Sequence, residues 1–271
     1  MKFKYMIIVF SIIIAIIIFV IAFMPLLLAG PEFAANFRFI SLPVLLFMSL
    51  LLVGMFIFFI FNYRLLSLLE REDWPALAYY LEDKVFTKGR YTLRNVRILA
   101  SSYLIISDYQ SVLKLEARTT ISKPSAVSKN VLIFGSARII SGKYAEAAVF
   151  FKTHQERCKP KERQWVRWFY GFSLLLAGDF RAVEPVFTSI TVSSGDALIT
   201  GLSAYFLYSS LEKKSASPDI CRQTSDNGKI RVLKSIKNIY NWKRETDKLG
   251  TDIYIAIIRK YIDEAGKWLF D

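Results

Sequence analysis

Two long uncharged apolar stretches dominate the first part of the chain, one over 6–28 and one over about 39–61. Each has the roughly 20 residues that a helix needs to cross the hydrocarbon core of a bilayer. The first is also longer than the apolar core of a cleaved signal peptide, which has about 7–15 residues. Gly30 and Pro31 mark a turn between the two stretches. The pattern therefore predicts that residues 1–61 form a transmembrane helical hairpin.

Basic residues flank this hairpin on its outer sides. They are Lys2 and Lys4 before the first span, and Arg64 and Arg71 after the second. The turn carries Arg38, which is balanced by Glu32. Because basic flanks stay on the cytoplasmic side, we expect a bacterial inner (cytoplasmic) membrane protein with two spans and with both termini in the cytoplasm.

After the second stretch, a short pattern recurs four times at intervals of 35, 35 and 36 residues. Its copies are Glu72-Asp73-Trp74, Ser107-Asp108-Tyr109, Gly142-Lys143-Tyr144 and Gly178-Asp179-Phe180. An apolar residue follows each aromatic after three positions, and in three copies also after seven, as on one face of a helix. Ala100, Gly135 and Gly171 stand nine positions before the last three aromatics. This periodicity predicts stacked helix pairs over 62–212.

The third copy is the most regular, with Phe134-Gly135, then Gly142-Lys143-Tyr144-Ala145-Glu146-Ala147, then Phe151. It resembles the tetratricopeptide repeat (TPR), and the resemblance implies an all-α, right-handed α-solenoid. The first copy departs from the pattern, since Leu65 stands where a small residue is expected. Two spans followed by such repeats are similar in architecture to the HemY-type inner-membrane proteins.

The remaining segments complete the expected architecture. With no glycine or proline between Gly54 and Pro75, the second span is predicted to continue as one helix through 61–70. Residues 194–211 read as a further helix. The polar segment 213–228 is predicted to be a flexible loop. Residues 229–271 are predicted to form a C-terminal helical hairpin that caps the solenoid, with its turn at Gly250.

The composition argues against catalysis. The chain has two cysteines and one histidine, and none of the common nucleotide-binding, metalloprotease or hydrolase motifs is present. His154 and Cys158 are one helical turn apart, but a metal site needs more ligands than these two. We therefore expect no enzyme, no cofactor and no metal. Of the formal net charge of +13, residues 1–61 hold +2, so the segment after the membrane is strongly basic.

The repeat resemblance implies that the first helix of each pair lines a concave groove. The groove-facing positions are Arg94, Arg97, Ser101, Lys129, Leu132, Trp165, Trp168 and Phe172. Such a surface suits an acidic and apolar peptide or helical segment of a partner protein, because arginine pairs with carboxylates and tryptophan supplies anchoring area. Alternatively, Trp165 and Trp168 pack against the following repeat.

Three further basic residues, Lys84, Lys88 and Arg90, form a candidate patch that faces anionic lipids. No nucleic-acid module is recognisable, so nucleic acid is not an expected partner. The sequence favours a membrane-anchored scaffold that recruits or organises a membrane or envelope complex, such as a flagellar-motor complex. Two alternatives stay open: a subunit of a transport complex that acts through its hairpin, and a module that binds anionic lipids.

Overall fold

The structure, a computed structural model, describes residues 2–158, 160–214, 217–250 and 252–271, and for 2–4, 6–7, 25–41 and 161 it describes the backbone alone. Every regular element among the described residues is helical, which confirms the all-α expectation. The chain divides into two compact units, Met1–Tyr80 and Leu81–Asp271.

The first unit consists mainly of one long helix, α1, that runs from Lys2 to Glu70. Its 69 residues extend for about 104 Å at 1.5 Å per residue. The predicted hairpin is therefore wrong for this structure, because the backbone is helical through Gly30 and Pro31. A hairpin is stabilised by contacts between its arms, and the arms do not pack together here: Phe10 and Phe47 are 48% and 62% exposed.

The part of α1 from Leu42 to Glu70 is long and apolar enough to cross a membrane, and it is the one helix of this kind among the described residues. The earlier apolar part, Ile8–Met24, is shorter. Two spans are thus not supported by the structure. The expected continuity through 61–70 is confirmed, since the helix ends only at Glu70.

Twelve further helices follow in the described residues. They are α2 (Trp74–Glu82), α3 (Leu93–Ile105), α4 (Tyr109–Ser122), α5 (Pro124–Ser128), α6 (Val131–Ile140), α7 (Tyr144–His154), α8 (Pro160–Leu176), α9 (Phe180–Ser193), α10 (Ala197–Phe206), α11 (Pro218–Ser235), α12 (Ile239–Asp247) and α13 (Ile253–Phe270). One π-helical turn extends α2 over Asp83–Thr87 and another extends α10 over Leu207–Leu211.

The four copies of the recurring pattern form four turns of the same geometry. The first residue of each has a positive φ: 54° at Glu72, 62° at Ser107, 77° at Gly142 and 79° at Gly178. At the third turn, the Gly142 N–H donates to Ile139 O (3.0 Å) and the Lys143 N–H donates to Arg138 O (2.8 Å). Equivalent bonds close the other three turns. This is the Schellman ending of a helix, and the aromatic residue begins the next helix.

The small residue and the aromatic seven positions into the second helix interlock within a pair. In α6–α7, a methyl group placed on Gly135 would lie 2.0 Å from Phe151 Cζ. In α8–α9, a methyl group on Gly171 would lie 2.7 Å from Phe187 Cε1. Glycine is therefore required where the ring of the second helix lies against the backbone of the first.

The segment predicted to be a flexible loop is helical from Pro218 onward. Helix α11 buries Cys221, Ser225 and Gly228, and Ser225 Oγ donates to Ala204 O of α10 at 2.8 Å. The polar composition of this segment did not predict a helix, because the buried side of α11 is made mostly of small residues. A methyl group on Gly228 would lie 2.8 Å from Ala204 Cβ, so α10 and α11 pack closely as a further pair.

The last two helices form the predicted hairpin, with Gly250 at a φ of 74° in its turn. Its first arm begins later than predicted, at Ile239, because α11 continues to Ser235. Trp242 is buried, lies against Gly201 and Gly266, and donates from Nε1 to Ile262 O at 3.2 Å. This side chain joins α12 to both α10 and α13.

Candidate partner-binding surface

The first helices of the successive pairs, α3, α6, α8 and α10, contact one another in order and form one surface of the second unit. We call it the first-helix face. The predicted groove residues lie on α3, at or just before the beginning of α6, and on α8. The face is not open along its whole length, because α13 packs onto α6 and α10.

Helix α13 presents three aromatic residues to this face, spaced seven positions apart: Tyr254, Tyr261 and Trp268. Their ring contacts, as distances between ring centroids, are Tyr254 to Phe169 (6.2 Å), Tyr261 to Phe172 (5.4 Å) and to Phe206 (5.2 Å), and Trp268 to Tyr208 (5.4 Å) and to Tyr205 (6.0 Å). The same side of α13 buries Ile255, Ile258, Ile262, Ala265, Gly266 and Leu269. Helix α13 is therefore amphipathic and lies on the face as a bound helix would.

Polar contacts accompany the rings at both ends of α13. Arg97 Nη2 donates to both oxygens of Asp252, at 2.9 and 3.1 Å, and Tyr254 Oη donates to Asp252 Oδ2 at 2.9 Å. Burial, followed by the charge of Asp252, raises the pKa of Tyr254. Farther along, Tyr205 Oη donates to Glu264 at 3.0 Å. These contacts fix the direction of α13 across the face.

The structure places several predicted groove residues in the packed interior. Trp168 is 0% exposed and contacts Phe187 and Phe206, so the alternative interpretation, packing against the following helices, is confirmed for this residue. Phe172 is also buried and is covered by Tyr261. Neither side chain is open to a partner, because the ring-rich pairs α8–α9 and α10–α11 and helix α13 enclose them.

An open cleft of about 840 Å³ lies at one end of the first-helix face, beside the α12–α13 turn. Four predicted groove residues line it: Arg97, Lys129, Leu132 and Trp165. Residues of the α12–α13 hairpin complete it, among them Arg244, Glu245, Lys248 and Asp252. Sequence reasoning missed this second wall, because the groove positions came from the repeat pattern and α12 lies outside the repeats.

The charged groups of the cleft differ in how well they are neutralised. Arg97 pairs with Asp252, and Lys248 Nζ pairs with Glu245 at 2.7 Å. The Asp196 carboxylate caps α10 by accepting from the N–H groups of Leu198 and Ile199. Lys129 and Arg244 form no ion pair with any side chain that the structure describes. Glu162 also lines the cleft and likewise has no ion pair with a described side chain. The lining therefore holds four basic and four acidic side chains, with Lys129 and Arg244 as its unpaired cations.

A buried amide adds a further polar group to the cleft wall. Asn130 is 3% exposed and its Nδ2 donates to Ala126 O at 2.9 Å. Its Oδ1 has no hydrogen-bond partner in the described part of the chain. A buried acceptor without a partner is costly, but the oxygen is itself buried, so it is not open to a segment bound in the cleft. Trp165, 9% exposed, supplies an apolar wall beside it.

The other predicted site residues lie away from the lining of this cleft. Arg94 is exposed and Ser101 is half-buried on α3. In the candidate lipid patch, Lys88 is paired with Asp83, Lys84 is half-buried, and Arg90 is exposed. The patch is therefore partly neutralised.

His154 and Cys158 are both engaged with backbone carbonyl groups. His154 Nδ1 lies 2.9 Å from Phe150 O, with its ring on that of Phe150, and Cys158 Sγ donates to Gln155 O at 3.0 Å. Burial raises the pKa of the Cys158 thiol, which disfavours the thiolate. Within the described residues, no group of three or more His, Cys, Asp or Glu side chains could hold a metal ion.

Comparison with known proteins places the second unit in a family. Residues 111–271, from α4 to the end of α13, match the family described as "Uncharacterised Treponema protein". An "Uncharacterized protein" of Treponema pallidum (strain Nichols) is 29% identical over 216 residues, which cover 77% of this chain and 69% of that protein. No solved structure matches. Since the family match covers more than half of the chain, the protein belongs to this family of Treponema proteins.

Proposed function

We propose that this protein is a membrane-anchored scaffold, built on a tetratricopeptide-like α-solenoid, that binds partner proteins and recruits them to a membrane or envelope complex. One observation carries the proposal: the open cleft of about 840 Å³ at the end of the first-helix face. Half of the residues expected to line a partner groove line this cleft. Repeat folds of stacked helix pairs use such surfaces to bind peptides.

The cleft suits a segment with both carboxylate and apolar side chains. Lys129 and Arg244 offer charge to a carboxylate, and charge-assisted hydrogen bonds are stronger than neutral ones. Trp165 offers an apolar surface beside them, and tryptophan is among the residues that contribute most to binding at interfaces. The partner segment in this proposal carries a carboxylate that reaches Lys129 and Arg244, and a bulky apolar residue close to that carboxylate.

The membrane anchor in this proposal is the Leu42–Glu70 part of α1. Arg64 and Arg71 follow the apolar stretch, so the positive-inside rule puts the helical pairs on the cytoplasmic side of the inner membrane. A phosphatase reporter, which is active only outside the cytoplasm, fused after Asp271 should stay inactive, and a fluorescent cytoplasmic reporter at the same site should be active. The reverse result would refute this orientation.

The binding surface is tested by crosslinking and recovery of the full-length protein from cells. We expect the variant Lys129→Glu/Arg244→Glu to recover its specific partners at least tenfold less well than the natural protein. The matched control is Arg259→Glu/Lys267→Glu, which makes the same change of charge at two exposed positions of α13. Equal recovery by both variants would exclude the cleft as the partner site.

A further inference from the structure

The first-helix face already holds a helix from the same chain. The aromatic residues of α13 repeat every seven positions, and each contacts rings of α8, α10 or the π-helical turn after α10. A carboxylate, Asp252, stands two positions before the first of these rings and pairs with Arg97. The face therefore recognises a definite pattern: an acidic residue, then a helix with a ring every seven residues.

The helix pairs beneath α13 have interiors of their own. The Gly135–Phe151 and Gly171–Phe187 contacts join the two helices of one pair. The Phe187–Phe206 stack, with ring centroids 5.7 Å apart, joins one pair to the next. These contacts involve no residue of α13, so departure of α13 would leave them in place. It would open the contact of Trp242 with Gly266 and its hydrogen bond to Ile262 O.

The beginning of α13 is its most accessible point. The side chains of Arg97 and Asp252, which pair there, are 50% and 38% exposed, and an ion pair in contact with water contributes little to stability. Asp252 and Tyr254 also line the open cleft. A segment bound in the cleft would thus lie beside the pair that begins the docking of α13.

We propose that α13 is a displaceable occupant of the partner surface, and that the partner which replaces it supplies an amphipathic helix with aromatic residues seven positions apart and a carboxylate before the first. This inference rests on the proposed function. The cleft would receive the acidic end of the partner, and the partner helix would then take the place of α13. Binding would be weak while α13 is docked, because the competent state is a fraction of the population.

Hydrogen exchange of the full-length protein in detergent micelles tests whether α13 opens by itself. We expect amides of α13 to exchange at least tenfold faster than amides of α8 and α10 under native conditions, as a locally opening segment does. Exchange of α13 only together with α8 and α10 would overturn the proposal, because α13 would then be part of one cooperative core.

Binding of a synthetic peptide of residues 251–271 tests the recognition pattern. Loosening α13 in the chain by Tyr254→Ala/Tyr261→Ala should raise the affinity for the natural peptide at least tenfold. A peptide with the same two substitutions should not bind. The control chain Arg259→Ala/Lys260→Ala changes two exposed residues of α13 and should bind like the natural chain. Equal affinity of all three chains would contradict the proposal.

Three further outcomes are separable. If the loosened chain forms a stable dimer by exchanging α13 between copies, as light scattering would show, the occupant is a second copy and the proposal is wrong. If peptide binding fails while Lys129→Glu/Arg244→Glu still abolishes partner recovery, the cleft functions and only the displacement of α13 is refuted. If the cleft variant recovers partners normally, the proposed function itself fails.

Discussion

The pairs α3–α4 and α6–α7 end their first helices with the same turn, 35 residues apart, yet the residue seven positions after the aromatic makes a different contact in each. In α6–α7, the Phe151 ring lies on Gly135 inside the pair. In α3–α4, the equivalent positions are Ala100 and Glu116. Glu116 turns its carboxylate to Arg138 on α6, with Nη1–Oε2 and Nη2–Oε1 distances of 2.5 and 3.1 Å.

The α3–α4 pair is therefore linked by polar contacts to its neighbours on both sides. Arg138 also lies over the Phe150 ring, with its Cζ 4.3 Å from the ring centroid. On the other side, Tyr103 Oη donates to Glu82 Oε1 at 2.6 Å. One turn geometry is thus compatible with two kinds of lock: an apolar one within a pair and an ionic one between pairs. The residue seven positions after the aromatic selects between them.

The largest expected effect comes from breaking the ionic lock. The side chains of Arg138 and Glu116 are 15% and 12% exposed, and removing one partner of a buried pair typically costs about 3–5 kcal/mol, because a charge is left unpaired. We expect Arg138→Leu to lower the free energy of unfolding by about that amount in urea titrations followed by circular dichroism. The double variant Glu116→Leu/Arg138→Leu should recover most of the loss. No recovery would mean that packing of the Arg138 stem, rather than charge, is responsible.

The apolar lock should respond to a single methyl group. Gly135→Ala forces Cβ into the Phe151 ring, and overpacking a core typically costs about 1–3 kcal/mol. Gly171→Ala should cost less, because its nearest ring atom is 2.7 Å away instead of 2.0 Å. Phe151→Leu should make Gly135→Ala tolerable in the same urea titration. A larger cost for Gly171→Ala than for Gly135→Ala would contradict the interlock.

Substitutions at the positive-φ residue of the shared turn should change the free energy of unfolding in either direction. Ser107 has a φ of 62° where the third and fourth copies use glycine, and a side chain in this left-handed region costs about 1 kcal/mol. Ser107→Gly should therefore raise the free energy of unfolding, and Gly142→Ser should lower it. The two changes are opposite in sign and similar in size. A destabilising Ser107→Gly would show that the serine side chain has a role of its own.

The smallest expected effect is the pH dependence of the hydrogen bond between Tyr103 and Glu82. Burial first, and the Glu82 carboxylate next, raise the pKa of Tyr103. Its contribution to stability is therefore complete below the ordinary tyrosine pKa of about 10 and is lost as the pH rises above that value. We expect a decrease in thermal stability between about pH 9 and 11 that is smaller in Tyr103→Phe. An identical pH profile for both proteins would exclude this contribution.

Local sequence determined the helix pairs and their turns. A residue tolerant of positive φ, followed two positions later by an aromatic, ends one helix and begins the next through contacts within a few residues. The spacing of small and large residues also predicted the contact of Phe151 with Gly135, since both are set by helical geometry. Those features depend on neighbours in the chain, and the amino-acid order contains them.

The tertiary structure alone decided which surfaces are free. The predicted groove positions were assigned from the repeat pattern, but α13, some 80 to 160 residues farther along the chain, covers Phe172, and the pairs enclose Trp168. The same limit explains the two wrong predictions: α11 is helical because small residues meet α10, and α1 is one continuous helix whose two apolar stretches do not pack together. Burial is a property of contacts between distant segments, and a local pattern does not specify which distant segment arrives.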